Sequence, residues 1–158
     1  MTDLPWPLRL GLNFAYVGGA LFTLVGLVMS FRRGRPHALL LLCISAISFS
    51  WIESPYDWAM YAQFPPAIPR MPAWWPMNVT WGGLPAAVPP GYIAYFVLPA
   101  VLGVALGRWL IARFQLRQPV TLLVVGLIVG TLWALLFNGV LCAQLGVCYY
   151  GRVIEIPT

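Results

Sequence analysis

The chain has no lysine: its nine basic residues are all arginine, set against only four acidic ones, Asp3, Glu53, Asp57 and Glu155. Charged residues make up 8% of the sequence, where a soluble domain carries about 25%. So little charge cannot cover a water-facing surface. With 61% hydrophobic residues and a mean hydropathy of +0.82, the chain reads as an integral membrane protein. The single histidine, His37, has no metal-ligand spacing to a cysteine or carboxylate and reads as an interfacial residue. Zinc-type spacing, a phosphate-cradling glycine loop and a Ser/His/Asp pattern are all missing, so no metal or cofactor is expected. Nor does the net charge of +5 signal nucleic acid, because most of the arginines fall in two short clusters between apolar runs. Arginine without lysine, alongside many Ala, Gly, Pro, Val and Leu, fits a GC-rich bacterial genome.

What is abundant is long apolar sequence. Four segments, about 8–31, 38–57, 92–114 and 120–141, are each long enough to span roughly 30 Å of hydrocarbon at 1.5 Å per residue. The expected fold is therefore an all-α membrane protein, a single domain of four transmembrane helices over residues 1–158. The first run is too long for a signal-peptide core and is followed by arginines, so it reads as a retained helix. Arg32, Arg33, Arg35 and His37 lie between the first and second runs, and Arg108, Arg113 and Arg117 cluster near the junction of the third and fourth. The positive-inside rule places these short connections in the cytoplasm, leaving both termini and the 58–91 loop extracytoplasmic. Gly103 with Gly107, and Gly126 with Gly130, suggest close helix packing, and Pro99 predicts a kink in the third helix.

The 58–91 loop holds eight of the fifteen prolines, which excludes a continuous helix. Trp58, Tyr61, Phe64, Trp74, Trp75 and Trp81 make it too apolar for a solvated coil. Indole and phenol rings favour the headgroup region, so the loop is expected to lie at the outer interface, as a lid or as a plain aromatic anchor.

Chemistry concentrates where the second helix meets this loop. Glu53 and Asp57 are four residues apart, which on an unbroken helix puts both carboxyls on one face. Two carboxyls that close cannot both ionise cheaply in a low dielectric, and a neutral acid beside an ionised base is what paired proton transfers need. Pro55 argues instead for a break: Ser54-Pro-Tyr-Asp57 matches a capping box, with Ser54 as N-cap and Asp57 satisfying backbone donors. The break is the preferred reading. Under it Glu53 keeps the functional interest, with Arg70, Arg152, Asn13, Asn138 or a ligand as its partner. Cys142 and Cys148 flank five residues at the outer end of the fourth helix, where a disulfide and two free thiols are both open.

The order of these features resembles the AveC-like family of actinobacterial membrane proteins. It runs from Glu53-Ser-Pro-Tyr-Asp57 through Tyr61, Pro69 and Trp74-Trp75-Pro76 to Tyr92, Tyr95 and Gly146-Val-Cys-Tyr-Tyr150. The resemblance is to the N-terminal half of longer members. It implies acid-assisted cyclisation or dehydration of a hydrophobic polyketide- or terpenoid-like molecule. Glu53 and Asp57 would be the acids, Tyr56 and Tyr61 possible donors, and Trp51, Tyr56, Trp58, Trp74, Trp75 and Asn138 a substrate- or lipid-binding set.

Two functions are weighed. One is a membrane subunit or scaffold whose outer loop binds a protein partner, a second copy or a lipid-like ligand. The other is a small membrane enzyme. Small size and sparse chemistry favour the scaffold.

Overall fold

The computed structural model describes residues 4–80 and 82–144. Among these residues the protein is all-helical, with an isolated antiparallel bridge between Arg70 and Pro85 and no strand. Four helices are long and apolar enough to cross a membrane: α1 (Trp6–Arg33), α2 (Ala38–Ala59), α3 (Val88–Phe114) and α4 (Gln118–Leu141). Trp81, Cys148 and Arg152 lie outside the described residues, as does the side chain of Cys142, and the disulfide question lies there with them.

Local chemistry sets the helix ends. Gly34 closes α1 in the left-handed conformation, φ 63°, and its amide donates to the Phe31 carbonyl. His37 then starts α2: its Nδ1 accepts from the Leu39 amide at 3.1 Å while its own amide donates to Ser30 Oγ at 2.9 Å. The lone histidine is thus an N-cap that fastens a tight α1–α2 hairpin. Gly26 seals that hairpin, since a Cβ there would sit 2.9 Å from the Leu40 amide nitrogen.

Helix α3 is central and packs against all three others. Its closest approach is to α1, where a Cβ on Gly19 would lie 2.5 Å from the Pro90 carbonyl oxygen. A Cβ on Gly103 would lie a tight 3.3 Å from Val125 of α4 and one on Gly107 an ordinary 3.5 Å from Thr121, whereas Gly126 and Gly130 face open space. The first small-residue pair therefore serves packing and the second does not. Pro99 is accommodated inside α3, which runs on to Phe114.

Three of the four helices also change their winding. Residues Phe14–Gly18 of α1 and Leu135–Gln144 at the end of α4 wind as π-helix, and Ser50–Ile52 of α2 tighten to 3₁₀. Pro55 explains the last: it lacks the amide that would bond the Trp51 carbonyl, and its ring crowds that carbonyl. The helix absorbs the proline by tightening and resumes at Glu53–Ala59. The expected break with Ser54 as N-cap does not occur, and no side chain caps this last stretch.

The loop between α2 and α3 folds into an ordered lid. Ile68 packs with Leu8 and Leu12 of α1, joined by Phe64 and Ala87. Met71 N donates to Leu84 O at 2.7 Å and Ala86 N to Pro69 O at 2.8 Å. Arg70 braces the turn from inside, its guanidinium donating to the carbonyls of Gly83 (2.8 Å), Phe64 (2.8 Å) and Pro65 (3.0 Å). Burial lowers the pKa of this guanidinium, which nonetheless stays charged, as arginine does in proteins.

Candidate functional site

Because α2 continues through Pro55, Glu53, Ser54 and Asp57 share its last two turns, and the two carboxyls sit one turn apart. Each has a different environment. Glu53 is half-buried, and its Oε2 accepts a 2.6 Å hydrogen bond from the Tyr92 hydroxyl at the start of α3. Asp57 is 0% exposed, and neither of its oxygens has a hydrogen-bond partner among the described residues. The expectation that Asp57 would satisfy backbone donors is therefore corrected.

Ser54 does what the capping argument assigned it, but for a distant segment. Its buried Oγ accepts from the amides of Val79 (2.8 Å) and Thr80 (3.2 Å), and Thr80 Oγ1 reaches both Ser54 Oγ (3.0 Å) and the Ser54 carbonyl (3.2 Å). The lid is thus clasped to the helix turn that carries the carboxyls. Asn78 supports the clasp by accepting from Leu84 N at 2.9 Å.

The other expected partners are occupied or turned away. Arg70 is committed to lid carbonyls and does not form the Glu53 ion pair considered from sequence. Asn13 is exposed, and Asn138, on the π-helical end of α4, lies beside Tyr95 rather than at Glu53. Tyr95 belongs to an aromatic cluster with Trp133 (5.7 Å between centroids), Phe137 (5.1 Å) and, through Phe137, Phe14 (5.0 Å). These rings close the side of the bundle nearest Asn138.

The remaining sequence candidates differ in exposure. Trp51, Tyr56, Trp58 and Tyr61 are exposed, and Tyr61 takes a left-handed backbone (φ 53°) just past the helix end. Trp74 projects from the lid at 77% exposure, whereas the Trp75 indole nitrogen is buried and unpartnered among the described residues. Tyr92 was missed as a site residue. Its signal was available, because Tyr92 and Tyr95 stand three apart at the outer end of α3, at the level assigned to Glu53.

A family model, Spirocyclase AveC-like, matches residues 31–158, most of the chain and every residue of this site. The chain belongs to the AveC-like spirocyclase family. No curated protein and no solved structure matches it. For an AveC-like protein the geometry has a clear chemical content. Two carboxyls and a phenol meet at one end of an apolar bundle, with the lid across them. Among the described residues no group of three or more His, Cys, Asp and Glu is arranged to hold a metal ion.

Proposed function

We propose that this AveC-like protein is a membrane-embedded acid–base catalyst that closes a ring in, or removes water from, an apolar oxygenated substrate of polyketide or terpenoid type. The reading rests on Asp57, wholly buried with neither oxygen partnered, one turn from Glu53. A buried carboxyl without a partner costs several kcal/mol and gives packing nothing that an apolar side chain would not give better. In such a chain it marks function.

In the step proposed, one carboxyl in its acid form protonates a substrate carbonyl, giving the carbon oxocarbenium character. A substrate hydroxyl oxygen attacks that carbon to form the new C–O bond, and its proton passes to the other carboxylate. The two carboxyls exchange roles and no electrons are gained or lost. Protonation of the resulting hydroxyl then lets it leave as water, and the cationic carbon is quenched by a second substrate hydroxyl or by loss of a neighbouring C–H proton, the proton in either case passing to the carboxylate.

The surroundings fit a bilayer. Val17, Leu21, Leu24, Leu122, Leu127 and Leu132 are among the many large apolar side chains left exposed on the helices, a surface suited to hydrocarbon. Arg32, Arg33, Arg35, Arg113 and Arg117 are exposed at the opposite end from the lid, which supports a cytoplasmic α1–α2 and α3–α4 side and an extracytoplasmic lid.

The test is the pair Glu53→Gln and Asp57→Asn in a deletion strain of the source organism, followed by metabolite profiling. Each variant is expected to accumulate in the membrane as wild type does and to lose the product. Product formed at wild-type level by both would overturn the reading, as would failure of both to accumulate. A scaffold role keeps one observation of its own, the exposed Trp74, Met77 and Val79 on the lid. Its mark would be a stoichiometric protein retained in mild detergent by wild type and lost on Trp74→Ala.

A further inference from the structure

The carboxyls are closed off on the lid side: Asp57 has no exposed surface, and Ser54 is bonded to Val79 and Thr80. A substrate needs another route. Two apolar grooves mark the flanks of the bundle among the described residues. The larger, about 470 Å³, runs past Tyr16, Thr23 and Ile47 and touches no partner of the carboxyls. The smaller, about 350 Å³, lies between α2 and α3, and Tyr92 is part of its wall.

We propose that this second groove is the substrate site, entered sideways from the hydrocarbon, and that Tyr92 is the residue that receives the substrate hydroxyl there. The proposal deepens the acid–base reading above and rests on it. The α2 wall extends from Leu42 through Phe49 to Ile52, about 15 Å at the helical rise, and Ile52 directly precedes Glu53. Opposite, the antiparallel α3 runs from Val97 through Phe96 to Tyr92, so Ile52 and Tyr92 form the same end. No charged residue lines the groove, which selects a neutral, elongated, lipid-soluble molecule.

With Glu53 ionised, the Tyr92–Glu53 hydrogen bond sets the direction of proton flow. The phenol proton points at Glu53 Oε2, leaving the phenol oxygen as an acceptor. A substrate hydroxyl at the end of the groove donates to that oxygen. As the hydroxyl oxygen bonds to carbon, its proton moves to Tyr92 and the phenol proton moves to Glu53, while the carbonyl oxygen takes the proton of Asp57 in its acid form. The substrate thus loses one proton to Glu53 and gains one from Asp57. Glu53 thereby acts on a substrate it does not touch. A molecule dissolved in the bilayer reaches this end of the groove without passing the lid.

The experiment uses the full chain in liposomes of phosphatidylethanolamine and phosphatidylglycerol. It compares two photoreactive probes, a long-chain alcohol carrying a diazirine and the matching alkane without the hydroxyl. Adducts are mapped by mass spectrometry. In wild type the alcohol is expected to label residues 42–52 and 92–97 roughly three- to ten-fold more than the alkane, the span one net hydrogen bond allows. Tyr92→Phe keeps the ring and should bring the two probes level. Ser45→Trp, which fills the groove from an exposed position, should remove both labels there while leaving Glu53, Asp57 and Tyr92 in place. Equal labelling by both probes in wild type, or alcohol preference surviving Tyr92→Phe, would overturn the proposal. Failure of the acid–base reading shows separately, as product retained in Glu53→Gln and Asp57→Asn whatever the labelling pattern.

Discussion

Asp57 and Ser54, three residues apart on one helix, make opposite demands on their surroundings. The Ser54 hydroxyl is partnered by two lid amides and the Thr80 hydroxyl, whereas the Asp57 carboxyl has no hydrogen-bond partner among the described residues. Their substitutions should therefore differ in kind. Asp57→Asn breaks no hydrogen bond and should leave the melting temperature in detergent at or above that of wild type, even as product is lost. Ser54→Ala strands the Val79 and Thr80 amides and should cost about 1–3 kcal/mol. Hydrogen exchange at those two amides should rise, and limited proteolysis should cut the lid earlier than in wild type. Unchanged exchange would mean that the clasp does not hold the lid. The carboxyl pair was legible in the sequence from its spacing, but the role of Ser54 was not. Its partners lie 25 and 26 residues away, and local capping chemistry gave a closer, wrong candidate.

Among the elements, the four helices were legible because long apolar runs follow from composition alone. The close contacts between them were legible only at Gly103 and Gly107. Sequence pointed to Gly126 and Gly130, which face open space, and passed over Gly19 and Gly26, where backbones come closest. Small-residue spacing says that a helix can be approached, not by what. At Gly19 the neighbour is the Pro90 carbonyl, which cannot rotate aside as a side chain would. Gly19→Val should thus force α1 away from α3 and destabilise by about 1–3 kcal/mol, seen as a lower melting temperature. Gly130→Val, facing open space, should change it little. The continuity of α2 was also misjudged from sequence. Pro55 does remove a hydrogen bond, but one 3₁₀ turn absorbs the loss more cheaply than ending a helix whose next turn is packed under the lid.

For the whole molecule, the arginine distribution predicts orientation. Cysteine placed at Gly34 should react with a membrane-impermeant maleimide only after cells are opened, and cysteine at Ala73 in intact cells; the reverse pattern would invert the assignment. Orientation bears in turn on how the protein is made. The clasp joins Ser54 to a residue 26 positions later, and Tyr92 follows 39 positions after Glu53. As the chain leaves the ribosome, α2 is therefore complete while both of its future neighbours are still unmade. Its two carboxyls must wait in water at the bilayer surface, and their dehydration is deferred until α3 enters and the lid folds down. Biosynthesis would then have a late checkpoint: a nascent chain stalled before Thr80 should still show Asp57 to the solvent, and only the finished one conceals it.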